Sequence, residues 1–177
     1  SRERDRVIRT LDGITVLGPV PPDFEAGIAL AEALMASSVT GVLAFNDVVV
    51  SKGVKGGMIE FEVRIDGQFV YTLRSDGIVV ASPTGSTAYS LAAGGPILYP
   101  NLAALIINPI CPFTLTNRPL VIPDSVTIEV VLVKENEDVL VTLDGQVGVV
   151  LRYRDVIEIR KAETRLRLIE CPGKNYF

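Results

Sequence analysis

From Met58 onward apolar residues recur with a period of two, and this restricts most of the chain to β structure. Ile59, Phe61, Val63 and Ile65 alternate with Glu60, Glu62 and Arg64, the pattern of a strand with one buried face. Asp66-Gly67 follows, a pair that accepts the positive φ of a tight hairpin, and Phe69, Tyr71 and Leu73 alternate on the predicted return strand. The pattern recurs at residues 126–132 and 139–143. It resumes after a second Asp-Gly at 144–145, over residues 146–151. Strands at 156–160 and 165–169 complete the expected set. Short strands separated by turns about every eight to twelve residues predict a mainly β, sandwich-like domain.

The first 45 residues read differently. Pro21-Pro22-Asp23 leads into Phe24, Ile28, Ala31 and Leu34-Met35 at helical spacing, so a helix over 22–36 is expected with Asp23 near its N-cap. Residues 40–45 form a short apolar strand. We therefore expect a small α/β helix-strand segment at 1–45 followed by one β domain at 46–177.

Composition removes whole classes of chemistry. The chain has no histidine, which excludes Ser-His-Asp and Cys-His nucleophilic schemes. With two cysteines only, Cys111 and Cys171, it argues against structural zinc, and no metal ligands are assigned. A net charge of −4 argues against a nucleic-acid partner. No apolar run approaches the roughly 18 residues of a membrane span. The apolar surplus is assigned to a core and to a homo-oligomer interface on the β domain. The mixed-charge start Ser-Arg-Glu-Arg-Asp-Arg has no apolar segment behind it, and a reduced, cytoplasmic protein is expected. Carboxylate chemistry, metal-borne chemistry or binding alone remain. Phosphoryl transfer fits, because it needs positioning and charge stabilisation more than an imidazole.

The stretch from Arg74 to Ile97 holds the candidate site. It reads as a carboxylate, Asp76, opening a buried strand, then a turn built on Pro83 and Gly85. A short helix follows, opened by Ser86 or Thr87 and closed by Gly94-Gly95-Pro96. Free N–H groups at such a helix start suit a nucleotide. The alternative is a strand-to-helix turn with a serine N-cap and a glycine C-cap and no ligand. No P-loop, G-x-G-x-x-G or G-x-S-x-G motif occurs. Asp47, Asp76 and Asp144 stand at strand edges beside Asn46, Arg74 and Gln146. Asp76 and Asp144 each precede glycine and also read as turn-formers. Asn46-Asp47 interrupts what reads as one continuous apolar strand, where a polar pair costs desolvation unless partnered.

These residues are quotable as family motifs. From about residue 45 to 177 the chain resembles the C-terminal domain of bacterial NAD kinases. The matching pieces include Asn46-Asp-Val-Val-Val50, Met58-Ile-Glu-Phe-Glu-Val63, Arg74-Ser-Asp-Gly77, the long block Ser82–Ile97, Asn117-Arg-Pro119 and Asp144-Gly-Gln146. The resemblance implies transfer of the γ-phosphoryl of ATP, or of polyphosphate, to the adenosine ribose 2′-hydroxyl of NAD, giving NADP, with Mg²⁺ or another divalent cation. It implies that Asn46 and Asp47 bind the adenosine ribose and that Asp76, beside Arg74, holds the nicotinamide end. Thr87, Ala88, Tyr89, Ser90, Leu91 and Ala92 would line the base pockets, with Tyr89 as a stacking surface and Gln146 facing them. The family's Gly-Gly-Asp-Gly-Thr loop, whose aspartate is its general base, does not occur in this sequence. No catalytic residue is therefore assigned, and weak or no activity is expected of the chain alone. The alternative is a non-catalytic NAD(P)-binding or oligomerisation module. Residues 1–47 are similar instead to part of a lac-repressor-type effector-binding domain, through Gly18-Pro-Val-Pro-Pro-Asp23 and Gly41-Val-Leu-Ala-Phe-Asn-Asp47, which suggests a chimera.

Overall fold

The computed structural model describes residues 7–12, 41–54, 57–114, 116–135 and 138–162. The strands are β1 (Val7–Asp12), β2 (Gly41–Ala44), β3 (Asp47–Lys52), β4 (Ile59–Ile65), β5 (Gln68–Ser75) and β6 (Gly77–Ala81). After a 3₁₀ turn at Thr84–Thr87 and the helix α1 (Tyr89–Ala92) come β7 (Ala104–Ile110), β8 (Leu120–Pro123), β9 (Ile128–Leu132), β10 (Val139–Leu143), β11 (Val147–Leu151) and β12 (Val156–Lys161). They form two six-stranded sheets, in the orders β2-β1-β12-β9-β4-β5 and β11-β10-β3-β6-β7-β8. Among the described strands only β1 pairs in parallel, with β12 and β2. The fold is mainly β and sandwich-like, as predicted.

The alternation places the core. Ile59, Phe61 and Val63 of β4 are fully buried, and meet Ile128 and Val130, Ile157, Ile78 and Val80, Leu105 and Ile107 between the sheets. β6 is buried along its whole length. Its inner residues face that core and its outer residues, Val79 and Ala81, meet a second cluster with Leu98, Ile106 and Ala93. A strand covered on both faces needs a continuous apolar run, and Ile78-Val79-Val80-Ala81 supplies one. The Asp66-Gly67 hairpin has the expected positive φ at both residues, 50° and 75°.

Three differences from the sequence reading have physical reasons. The apolar run across Asn46-Asp47 is two strands rather than one: β2 belongs to the first sheet and β3 to the second, with a bend at Phe45-Asn46 between them. β7 is a strand although it carries Asn108 and Pro109, which read as breakers. β8 pairs only with residues 104–107, so Pro109 lies where β7 has one open side and its missing donor costs nothing. β1 has no clear alternation to announce it. The predicted helix at 22–36 and strand at 165–169 lie outside the described residues. Among the described residues no helix is long and apolar enough to cross a membrane.

Candidate functional site

The site is built around the bend where the chain changes sheets. Phe45 and Asn46 have no ladder partners there, so their half-buried amides need acceptors from elsewhere. Asp144 provides them. Its Oδ2 accepts the Phe45 N–H at 2.7 Å, and its Oδ1 accepts those of Asn46 at 2.7 Å and Asp47 at 3.0 Å. The carbonyl side is held by Ser82, whose N–H donates to Asn46 O at 2.9 Å and whose hydroxyl donates to Phe45 O at 2.7 Å. The Ser82 hydroxyl in turn accepts the Gly85 N–H at 3.0 Å. The main chain of the bend is thus pinned on both sides. The half-exposed Asn46 carboxamide has no protein partner among the described residues.

Asp47 points the other way and is 6% exposed. Burial raises its pKa above the ordinary 3.8, the neighbouring Asp144 charge raises it further, and a hydrogen bond from the Tyr89 N–H partly offsets both. Between 3.8 and that raised value the folded protein holds more protons than the unfolded chain, so this group's contribution to stability falls as pH rises through the window. Asp47→Asn keeps an acceptor for the Tyr89 N–H and removes the charge. It should raise the melting temperature at pH 7 by about 2–4 °C, the shift expected for ~1 kcal/mol. Thermal melts across pH should show this advantage vanishing below the carboxylate's ordinary 3.8.

The short helix is docked by two buried hydroxyls, one of which, Ser86, the sequence suggested as a cap. Ser86 does not cap. Its hydroxyl donates to Pro83 O at 2.6 Å and accepts the Leu98 N–H at 3.0 Å. Ser90 is fully buried, and Asn108 of β7 donates to its carbonyl at 2.9 Å and reaches its hydroxyl at 3.4 Å. The N-cap position of α1 is Ala88, which offers no side-chain acceptor, and the Tyr89 N–H at the helix start faces the Asp47 carboxylate of β3 instead. The expected cradle of free N–H groups is also absent from Gly85, Ser86 and Ala88, which bond to Ser82 Oγ, Pro83 O and Gly85 O. The helix ends as predicted: Gly94 has φ 82°, and the Gly94 and Gly95 N–H groups bond to Leu91 O and Ser90 O, the paired bonds of a Schellman stop. Thr87, Tyr89, Leu91 and Ala92 are left facing outward, with Tyr89 48% exposed. Ala88 is half-buried between them.

Gln146 is exposed at the tip of the β10–β11 hairpin, where Asp144 and Gly145 have φ of 49° and 67°. The Asp144 bonds bring that tip to Asn46. The bend lines a small cleft of about 20 Å³ whose apolar wall is Ala44, Val80, Leu105 and Ile159. Small-molecule pockets run roughly 300–1,000 Å³, so this cleft by itself could not enclose a dinucleotide.

Arg74 and Asp76 are elsewhere. Asp47 is paired with Ala81 at one end of β6, whereas Asp76 precedes Gly77 at the other, about 16 Å away at strand rise. There Asp76 forms an ion pair with Lys52 at 2.7 Å, and Arg74 lies over the Phe113 ring at 5.8 Å. The structure thus brings together Asn46, Asp47, Ala88, Tyr89 and Gln146, and separates Arg74 with Asp76 from them. Sequence reasoning gives no role to Ser82 or Lys52 and leaves Asp144 between a strand-edge candidate and a turn-former. Among the described residues no three acidic or thiol groups converge to hold a metal ion, so none of them is assigned to a divalent cation.

Known proteins match this region. The family model for the ATP-NAD kinase C-terminal domain matches residues 45–171, which include every residue of both clusters. The NAD kinase of Magnetococcus marinus is 54% identical over 132 residues, covering 75% of this chain and 44% of that protein. The NAD kinase of Chromobacterium violaceum is 51% identical over 141 residues, 80% of this chain and 48% of that protein. An NAD kinase from Archaeoglobus fulgidus, crystallised in complex with ATP, aligns with a TM-score of 0.61 at 38% identity, over 69% of this chain and 47% of that one. Yeast NADH kinase complexed with NADH aligns with a TM-score of 0.59 at 32% identity, over 67% and 38%. The chain spans about half the length of the curated relatives it matches. It belongs to the ATP-NAD kinase C-terminal domain family.

Proposed function

We propose that this chain is the dinucleotide-binding half of an NAD kinase, which phosphorylates the adenosine ribose 2′-hydroxyl of NAD with ATP or polyphosphate to give NADP, in the cytoplasm. The supporting observation is the pinned bend, which leaves the Asn46 carboxamide unpartnered among the described residues inside the matched family region. The adenosine ribose docks on Asn46 and Asp47. Tyr89 stacks on a base, Thr87, Ala88, Leu91 and Ala92 form the adjoining wall, and Ser90 supports that wall from beneath. Gln146 closes the same end. Arg74 and Asp76 hold the nicotinamide end, about 16 Å along β6. These groups bind and orient sugar, carboxamide and base. Donor phosphates and their Mg²⁺ are handled by residues outside those described. Copies of the chain associate through exposed apolar side chains of the β domain away from that wall, Ile97, Tyr99 and Leu102 among them. Nothing in the matches supports a repressor-derived segment at residues 1–47, and no role is assigned to it.

A second reading, confined to these 177 residues, is dinucleotide binding without turnover, since their sequence carries no Gly-Gly-Asp-Gly-Thr. General-base catalysis contributes roughly 10²–10⁴-fold, so the 177-residue chain with ATP, Mg²⁺ and NAD should form little NADP. One calorimetric series tests the binding reading. Wild type should bind NAD and NADP, and Tyr89→Ala should weaken both about 10-fold, because base–aromatic stacking is worth ~1–3 kcal/mol. The melting temperature should not change, since the ring is exposed. Equal affinities for wild type and Tyr89→Ala would remove Tyr89 from the site, and a folded wild type without affinity would remove the function.

A further inference from the structure

We propose that Asp144 is the positioning residue of the dinucleotide site, fixing the Asn46-Asp47 bend without touching the ligand itself. The assignment rests on the dinucleotide reading above. A single carboxylate takes three successive main-chain N–H groups, from residues 97 to 99 positions away in sequence. Most of its acceptor capacity is thereby committed to protein. Charge-assisted bonds of this kind are about twice as strong as neutral ones. They act where the two sheets exchange the chain and no ladder holds Phe45 or Asn46. The bracing is reciprocal, because the Asp144 N–H donates to Asp47 O at 3.0 Å. Asn46 and Asp47 are therefore presented on a bend already set before any ligand arrives, which lowers the ordering cost of binding.

Turn formation alone does not account for this carboxylate. Asp66, in the other Asp-Gly hairpin, has nearly the same φ of 50°, yet among the described residues its carboxylate accepts only the Thr127 N–H, at 2.8 Å. Asp66→Asn is accordingly the matched control for Asp144→Asn. Asparagine tolerates the positive φ in both places, while exchanging one acceptor oxygen for a donor.

Calorimetry with NAD on the full chain tests the assignment. Asp144→Asn should bind NAD about 10-fold more weakly or worse, as expected for losing a bond to a charged group, and Asp66→Asn should bind like wild type. Asp144→Asn combined with Asn46→Ala should bind no more weakly than the weaker single variant, because both act through one contact; a purely global effect would add. Amide hydrogen exchange supplies a readout independent of ligand: Phe45, Asn46 and Asp47 should be protected in wild type and exposed in Asp144→Asn. Should that variant not fold, Asp144→Glu, which retains both acceptors one methylene further out, should still weaken NAD binding. Unaltered affinity in a folded Asp144 variant, or additive losses in the pair, would overturn the positioning role alone. A folded wild type that binds no NAD would sink the dinucleotide reading and this role with it.

Discussion

Replacing Gly85 with alanine is expected to abolish dinucleotide binding and to lower the melting temperature by about 6–12 °C, the shift for ~3 kcal/mol in a chain of this size. A Cβ there would stand 1.9 Å from the Asn46 carbonyl oxygen, 2.4 Å from its carbon and 2.7 Å from its Cα. A flexible side chain could turn aside from such a contact. These are backbone atoms, held by Ser82 on one side and Asp144 on the other, so the bend itself must move. The requirement at position 85 is for space. At Gly94 it is for conformation: φ is 82° and nothing lies within 4 Å of where a Cβ would stand, so alanine there meets only the left-handed backbone penalty, about 1–2 kcal/mol. Thermal melts and NAD titrations of Gly85→Ala beside Gly94→Ala separate the two effects. Gly94→Ala should lose stability modestly, and Gly85→Ala should lose both stability and ligand. Wild-type NAD affinity in Gly85→Ala would mean that the bend does not carry the site.

The sheets were legible in the sequence where one face is buried and one exposed. The 59–65 and 68–75 hairpin announces itself by alternation and by Asp66-Gly67, because only a strand turns successive side chains to opposite faces. Burial on both faces erases that signal. Hence the run through Asn46 reads as one strand although it is divided between two sheets, and the polar pair within it marks the point of exchange. β7 is hidden for a related reason, since Asn108 and Pro109 look like breakers until Asn108 is seen holding Ser90 and Pro109 is seen beyond the end of β8. The same limit applies to the site. Asn46 and Asp47 can be suspected from the desolvation cost of a polar pair among apolar residues. Asp144 can be named as a strand-edge carboxylate, but its task cannot be read, because Asp-Gly also explains itself as a turn and its three partners lie nearly a hundred residues away. Resemblance assigns roles to both Asp47 and Asp76 but contains no distance, and their placement at opposite ends of β6 emerges only from strand register.

That separation makes Gly77→Ala the complementary experiment. Gly77 opens β6, the strand between β3 and β7. A Cβ would lie 2.4 Å from Val50 O and 3.0 Å from Ser51 Cα, so β3 must shift where it leads into Lys52, the ion-pair partner of Asp76. Overpacking against backbone in a buried central strand costs about 1–3 kcal/mol or more, and a fall in melting temperature of about 2–12 °C is expected. Its effect on ligands should differ from that of Gly85→Ala. The disturbance lies at the Asp76 end, whereas Asp47 sits at the far end of β3, where it remains held by Asp144. Titrated at a temperature where the variant is folded, NAD should lose affinity and ADP-ribose, which lacks the nicotinamide ring, should retain it. Gly85→Ala should lose both. Equal losses for the two ligands in Gly77→Ala would detach Asp76 from the nicotinamide end and leave the pinned bend as the whole of the dinucleotide contact on this chain.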